Sequence, residues 1–324
     1  MRFAIVGAGA IGAVHARLID SLDDELVAVV DLDLDRARHL ADQHGARAYA
    51  DAASAYPEVD AVSICLPSAL HATAAIDALY AGKHVLVEKP VDITLAAADR
   101  LIAAQRETGL TVSVVSQRRF QEPARQIKHA IDSGSLGRLT SGIVESAFYR
   151  PNSYYEGDDW RGTRAVDGGG ALMNQGIHAL DLLVWMLGRP VRVSAQTGQL
   201  AHHDIEVEDV AAATITFESG ALGLLLASTA AYPGRPVRLS IHGDRGTAIM
   251  DNDRLDVLTT TDAALGEHSS VRQAHLAQYR DFVGAVAEGR APGVGLSDGR
   301  RALATVLAVY ESARLGRPVE LEGN

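Results

Sequence analysis

A single cysteine, Cys65, stands among the 324 residues, so no internal disulfide can brace the fold. It sits in the strand-like run Ala61-Val62-Ser63-Ile64-Cys65 without a flanking His or Asn, which marks a buried thiol rather than a nucleophile. Long apolar runs are also missing. The longest, around Ala221 to Ala231, is too short and too small-sided to span a bilayer. A strand expected to begin at Arg2 or Phe3 leaves no room for a secretory leader. Nor is there a surplus of base: 30 Lys and Arg against 41 Asp and Glu give a formal charge of −11 without a dense block. The Arg118-Arg119 pair is the nearest approach to a basic cluster, which excludes the non-specific nucleic-acid binding that clustered cations support. Together these lacks predict a cytoplasmic globular protein with neither membrane nor nucleic acid as partner.

What the chain does have is 47% apolar residues in short runs bounded by Gly, Pro and Asp, at a length that suits two domains. From residue 1 to about 120, apolar strands (2–6, 26–30, 46–49, 61–65, 84–87, 111–115) alternate with amphipathic helices (10–22, 34–44, 71–81, 94–108). Such alternation predicts an α/β fold, a parallel sheet covered on both faces. Gly45, Gly82 and Gly109 stand where helix C-caps are expected. Beyond residue 121 the pattern changes. A helix at 123–132, a strand at 138–148, a loop at 150–170 and a long apolar helix at 171–187 precede strand-like runs at 191–199, 207–217, 221–229, 236–242 and 246–250. Strands in succession predict an antiparallel sheet. Helices at 271–288 and 297–315 close the chain and are candidates to pack back on the first domain.

Gly7-Ala8-Gly9-Ala10-Ile11-Gly12 follows the first strand and opens the first helix, the context in which backbone amides close on a dinucleotide pyrophosphate. Gly7, Gly9, Ala10, Ile11 and Gly12 are therefore cofactor candidates. Asp31 ends the second strand, nineteen residues after Gly12, where a carboxylate accepts from the adenosine ribose and repels a 2′-phosphate. NAD is expected over NADP, although Arg36 and Arg38 lie near; the competing reading is that Asp31 caps the next helix. Leu66, Pro67, Ser68 and His71 follow the fourth strand at the same edge, and Ser68 and His71 are candidates to face the cofactor riboses. Glu88-Lys89-Pro90 follows the fifth, and the proline biases Lys89 towards an extended backbone. Lys89 is either a reactive cation there or a surface lysine paired with Glu88.

Gly168-Gly169-Gly170 reads as a mobile, close-packing start to a helix on which Asn174, His178 and Asp181 share one face. A polar stripe on an apolar helix suits a catalytic base held by partners. It equally suits a structural histidine. Two ligands at that spacing lack a third and fourth, so no metal is expected.

These segments, in this order, resemble the glucose–fructose oxidoreductase / inositol dehydrogenase / rhizopine catabolism (Gfo/Idh/MocA) family. The similarity extends to Trp160-Arg161-Gly162-Thr163, Glu206-Val207-Glu208-Asp209 and Tyr310-Glu311-Ser312-Ala313. It implies an N-terminal Rossmann doubly wound sheet (1–120) and a C-terminal α/β domain with an open, mostly antiparallel sheet (121–324). That second sheet commonly builds a homodimer or homotetramer. The implied reaction passes a hydride from a secondary hydroxyl of a sugar, polyol or derivative to NAD. His178 would take the hydroxyl proton and Lys89 would steady the oxygen. One departure stands out: many polyol dehydrogenases of the family carry Asp where this chain has Asn174, and an amide suits a hydrogen bond to a substrate hydroxyl. The Asn-Gln-Gly-x-His form resembles members acting on nucleotide sugars and other hexose derivatives. By position, Gln117 and Arg161 are further cofactor candidates, and Arg118 and Tyr154 further substrate candidates, with Tyr155, His203 and Tyr232 beside them. Two other functions fit the same residues: an NAD-retaining enzyme that cleaves glycosides through transient C3 oxidation, and a non-catalytic nucleotide-binding protein.

Overall fold

The structure, a computed structural model, describes residues 1–156, 160–259 and 270–321. They form two compact units, Met1–Val115 with His275–Arg300, and Ser116–Ala274 with Arg301–Asn324.

In the first unit six parallel strands, β1 (Arg2–Val6), β2 (Glu25–Val30), β3 (Arg47–Tyr49), β4 (Ala61–Ile64), β5 (His84–Val87) and β6 (Val112–Val114), take the order β3-β2-β1-β4-β5-β6. The order reverses between β1 and β4, the switch point at which open α/β sheets bind ligands. Phe3, Ala4 and Ile5 are fully buried, as expected of a strand covered on both faces. Helices α1 (Ala10–Ile19), α2 (Leu34–His44), α3 (Ala52–Ala55), α4 (His71–Tyr80) and α5 (Leu95–Thr108) make the crossovers. Asp33 caps α2 by accepting from the amides of Asp35 and Arg36, and Thr94 caps α5 through Ala97. Gly45 and Gly109 end α2 and α5 in the left-handed region; α4 ends on Ala81, with Gly82 taking that conformation one residue later. Tyr279 and Phe282, from the helix Val271–Glu288, join this core against Phe3 with ring centroids 5.9 and 6.3 Å away.

The second unit carries an eight-stranded sheet of β7 (Leu139–Ala147), β8 (Pro190–Gly198), β9 (Val210–Phe217), β10 (Leu222–Ser228), β11 (Arg238–Gly243), β12 (Thr247–Asp251), β13 (Arg254–Thr259) and β14 (Val319–Glu320). Its pairs are antiparallel except β7 with β10. Its helices are α6 (Glu122–Asp132), α7 (Ser153–Glu156), α8 (Ile177–Leu187), and parts of α9 (Val271–Glu288) and α10 (Leu296–Leu315). Gly142 lets α8 lie close to the sheet, since a Cβ there would stand 2.8 Å from Leu183 Cδ1. The opposite face of β10 shows Leu222, Leu224 and Leu226 to solvent. The sequence pattern missed β13 and β14, both short and half polar. Residues 157–159 of the expected loop lie outside the described residues. Among the described residues no helix is long and apolar enough to cross a membrane.

Candidate active site

Because the first sheet is parallel, the glycine turn after β1, Asp31 after β2, Leu66–Ser68 after β4 and Lys89 after β5 all follow carboxyl ends along one edge. The three glycines have different reasons to be there. A Cβ on Gly12 would fall 2.1 Å from Gly7 O, and one on Gly7, at φ +105°, 2.5 Å from Cys65 O. Those two let the turn close on itself and on the end of β4. A Cβ on Gly9 would meet nothing within 4 Å, so its absence leaves space rather than relieving a clash. Gly9 also begins α1 with no side-chain cap, which leaves the first amides, including Ala10 and Ile11, to an external anion. This cradle fits a dinucleotide pyrophosphate.

Asp31 is not a helix cap. Its Oδ2 accepts from the Ala8 amide at 2.9 Å and its Oδ1 from the Asp33 amide at 2.9 Å, which pins the carboxylate to the glycine turn. Arg36 lies 3.9 Å from Asp31 and 3.6 Å from Asp33, so its charge is already shared between two carboxylates rather than offered to a 2′-phosphate.

His71 is buried, with Nδ1 2.6 Å from Pro90 O and Nε2 2.7 Å from Leu66 O. It packs between the turn after β4, containing Pro67 and buried Ser68, and the turn after β5, and as a neutral ring donates to one of the two carbonyls. Burial pushes its pKa down, against the pull of the two carbonyls. Both ring nitrogens are thereby directed at main chain.

Glu88 is buried and reaches inward to His15. Its Oε1 lies 3.1 Å from His15 Nε2, and its Oε2 accepts the Lys89 amide at 3.0 Å. His15 Nδ1 stands 2.7 Å from Ser63 Oγ and 2.8 Å from Tyr279 OH, and those two oxygens are 2.9 Å apart. Burial works against charge on His15, but Cys65 and Glu88 outweigh it and lift the pKa to about 10. Burial likewise opposes charge on Glu88, and His15 outweighs it, holding the carboxyl well below the usual range. A buried imidazolium–carboxylate pair therefore backs Lys89, which is half-buried between buried Glu88 and Pro90. No sequence signal announced this network: His15 and Tyr279 are 264 residues apart.

In the second unit the expected long helix begins as a π-helix, Ala171–Gly176, before α8. Of residues 171–184 only Asn174 and His178 escape full burial. Asp181 does not share their opening: it takes two hydrogen bonds from Arg119, at 2.8 and 2.6 Å, in a buried ion pair. Asn174 Nδ2 donates to Asp167 Oδ1 at 3.1 Å. Two of the three glycines in the triplet meet the close packing expected of it. A Cβ on Gly169 would lie 2.2 Å from Tyr310 OH and one on Gly170 1.8 Å from Glu208 O.

Four amides at the start of the π-helix need acceptors, and two residues supply them. Glu208 Oε2 accepts from Gly170, Glu208 O from Ala171 and Glu208 Oε1 from Leu172, each at 2.9 Å, while Tyr310 OH accepts from Met173 at 3.2 Å and donates to Glu208. Burial raises the Glu208 pKa against these bonds. Both residues stood in quoted motifs, but their role needed the fold.

Gln117 and Arg118 fall in a short 3-10 turn, Gln117–Phe120, rather than at the end of β6. Among the described residues Gln117 Oε1 is buried without a hydrogen-bond partner, an acceptor suited to a donor on a bound group. Arg118 is 8% exposed, reaches Asn252 Oδ1 at 3.4 Å, and has its pKa lowered by burial to about 10. Arg161 stacks on Trp160 and Tyr154 at 4.8 and 4.9 Å, and Tyr154 OH accepts from Gln175. Tyr155 bonds Thr229; His203 and Tyr232 are exposed.

Two family models match the chain: an oxidoreductase family with an NAD-binding Rossmann fold over residues 1–116, and the GFO/IDH/MocA C-terminal domain over 124–249. The chain is 30% identical to myo-inositol 2-dehydrogenase of Thermotoga maritima, with 99% of each covered. It belongs to the GFO/IDH/MocA oxidoreductase family. As in that family, the first unit is an NAD-binding Rossmann fold. D-glucoside 3-dehydrogenase of Escherichia coli is 28% identical, over 99% of this chain and 97% of its own. The crystal structure of the WlbA dehydrogenase from Bordetella pertussis, in complex with NADH and UDP-GlcNAcA, matches with a TM-score of 0.93 at 29% identity, covering 100% of this chain and 98% of that one.

Proposed function

We propose that this GFO/IDH/MocA member is an NAD-dependent dehydrogenase that oxidises a secondary hydroxyl of a sugar, polyol or sugar derivative. The observation that carries the reading is the pair Asn174 and His178, half-exposed within the otherwise buried run 171–184, in a chain whose other unit has a glycine turn suited to a pyrophosphate. The names of full-length relatives, acting on myo-inositol and D-glucosides, support the substrate class. NAD, when bound, supplies the acceptor for the carbinol hydrogen and its electron pair.

The cofactor would be held by the amides of Gly9, Ala10, Ile11 and Gly12 and by Asp31, with the turns at Leu66–Ser68 and Glu88–Lys89 alongside. His178 takes the proton from the substrate hydroxyl oxygen, a role worth about 10²–10⁴-fold in rate. The Lys89 ammonium steadies that oxygen as negative charge develops, so it favours the transition state over the ground state. Asn174 bonds a substrate hydroxyl. Arg118, Gln117, Arg161 and Tyr154 are assigned lining roles.

Assembly as a homodimer or homotetramer belongs to the same proposal. It is supported by the outer face of the second sheet, where Leu222, Leu224 and Ile143 are 58, 47 and 42% exposed. Leu224→Glu should then yield monomers in light scattering. A cytoplasmic setting, suggested by the single cysteine, completes the reading.

The test is NADH formation at 340 nm with myo-inositol, scyllo-inositol, D-glucose, methyl glucosides, UDP-N-acetylglucosamine and its uronate. Signal with one class supports the dehydrogenase and names its substrate. A flat trace with released aglycone would overturn it.

A further inference from the structure

Asn174 stands beside a buried carboxylate, which gives a physical reason for an amide at this position. Asp167 is 2% exposed and held by the turn at 162–168: its amide donates to Thr163 O at 3.2 Å, and its Oδ2 accepts from the Gly162 amide at 3.0 Å. Its other oxygen, Oδ1, faces Asn174 Nδ2 at 3.1 Å. By accepting from the NH₂ group, Asp167 Oδ1 decides which way the Asn174 amide is turned. The NH₂ group faces Asp167 and the carbonyl oxygen faces away from it. An aspartate at 174 would instead set two carboxylates at hydrogen-bond distance, where both cannot stay ionised.

We propose that Asp167 is a positioning residue that fixes the Asn174 amide as a neutral hydrogen-bond acceptor for a substrate hydroxyl, and that it is the residue which requires an amide at position 174. The inference rests on the substrate role given to Asn174 above. The pair is one exchangeable unit. With the two residues swapped, the amide at position 167 would still accept from Gly162 through its oxygen while donating to the carboxylate at position 174. The carboxylate lies seven residues before Asn174, in a buried loop, and the half-exposed position carries an uncharged group.

Four proteins test this: wild type, Asn174→Asp, Asp167→Asn and the double swap. Unfolding is followed from pH 4 to 8 by tryptophan fluorescence, since Trp160 and Trp185 both lie in the second unit. The carboxylate pair in Asn174→Asp has one pKa raised in the folded state, so stability is lost as pH rises above about 4. Its melting temperature should drop by about 5 °C or more relative to wild type at pH 8. The double swap should lose this pH dependence. In parallel, kcat and KM are measured on whichever compound of the panel the wild type oxidises fastest. Both single variants should lose at least about tenfold in kcat/KM, and the swap should exceed the product of the two single effects by a similar factor. NAD affinity, read by titration calorimetry, should stay within about twofold in all four, which confirms that each is folded.

Parallel stability curves for wild type and Asn174→Asp overturn the pairing itself, and do so even if no panel compound is oxidised. Pairing seen in the stability curves with wild-type kinetics in Asp167→Asn overturns the positioning role alone. A swap no better than the singles combined overturns the claim that Asp167 requires an amide at position 174.

Discussion

Replacing Glu88 by Gln should flatten the alkaline half of the protein's stability profile. In the wild type the His15 pKa rises from 6.5 to about 10 on folding. A raised folded pKa stabilises fully below the unfolded value and is lost as pH climbs through the folded one, here between about 6.5 and 10. At about 1.4 kcal/mol per pH unit, the loss is on the order of 3–5 kcal/mol, similar to that from breaking a buried ion pair. In melting temperature that is roughly 10 °C for a unit of this size. Glu88, held below its ordinary value, loses its share at the acid end instead, as pH falls through its folded pKa. Glu88→Gln removes the carboxylate 3.1 Å from the ring while keeping an acceptor for the Lys89 amide. Cys65 and His275 remain near the pair, so some slope should persist, and Cys65→Ala is the companion variant. The assay is thermal unfolding by far-ultraviolet circular dichroism at steps from pH 6 to 10, because neither tryptophan lies in the first unit. The variant should begin less stable at pH 6 and converge on wild type by pH 10. Parallel curves across that range would refute Glu88 as the group that holds charge on His15.

Gly9→Ala should fold with an unchanged melting temperature, since nothing lies within 4 Å of the new methyl group, yet bind NAD about 10–100-fold more weakly by calorimetry. Gly12→Ala should instead destabilise the fold outright, its Cβ falling 2.1 Å from a carbonyl oxygen. Tyr310→Phe leaves the Met173 amide and Glu208 each short of a partner; urea unfolding should show a loss of about 1–3 kcal/mol, with kcat falling more than NAD affinity. Asp31→Ser should narrow the preference for NAD over NADP by about tenfold or more, read as the ratio of dissociation constants.

The nucleotide side of this protein was legible because its signals are local. Gly7 to Gly12 sit between a strand and a helix within a dozen residues, and Asp31 follows at a fixed distance. That Asp31 is not the cap of α2 needed coordinates, because Asp33, two residues on, takes that role. The substrate side was harder for a different reason. An i, i+4, i+7 reading assumes 3.6 residues per turn, and the π-helix at Ala171–Gly176 breaks that period just where Asn174 stands. Asp181, which fits the same stripe on paper, is turned to Arg119 instead. Groups that act across the chain left no trace in spacing at all: Tyr279 on His15 and Tyr310 on Glu208 each depend on tertiary placement.

The most direct test of the proposed chemistry is steady-state NADH formation by His178→Ala and Lys89→Ala, with the substrate that the panel identifies. Both variants should lose at least about 10²-fold in kcat, while His178→Ala keeps its affinity for NAD. Near-normal turnover in either would contradict the account by removing that residue from the reaction.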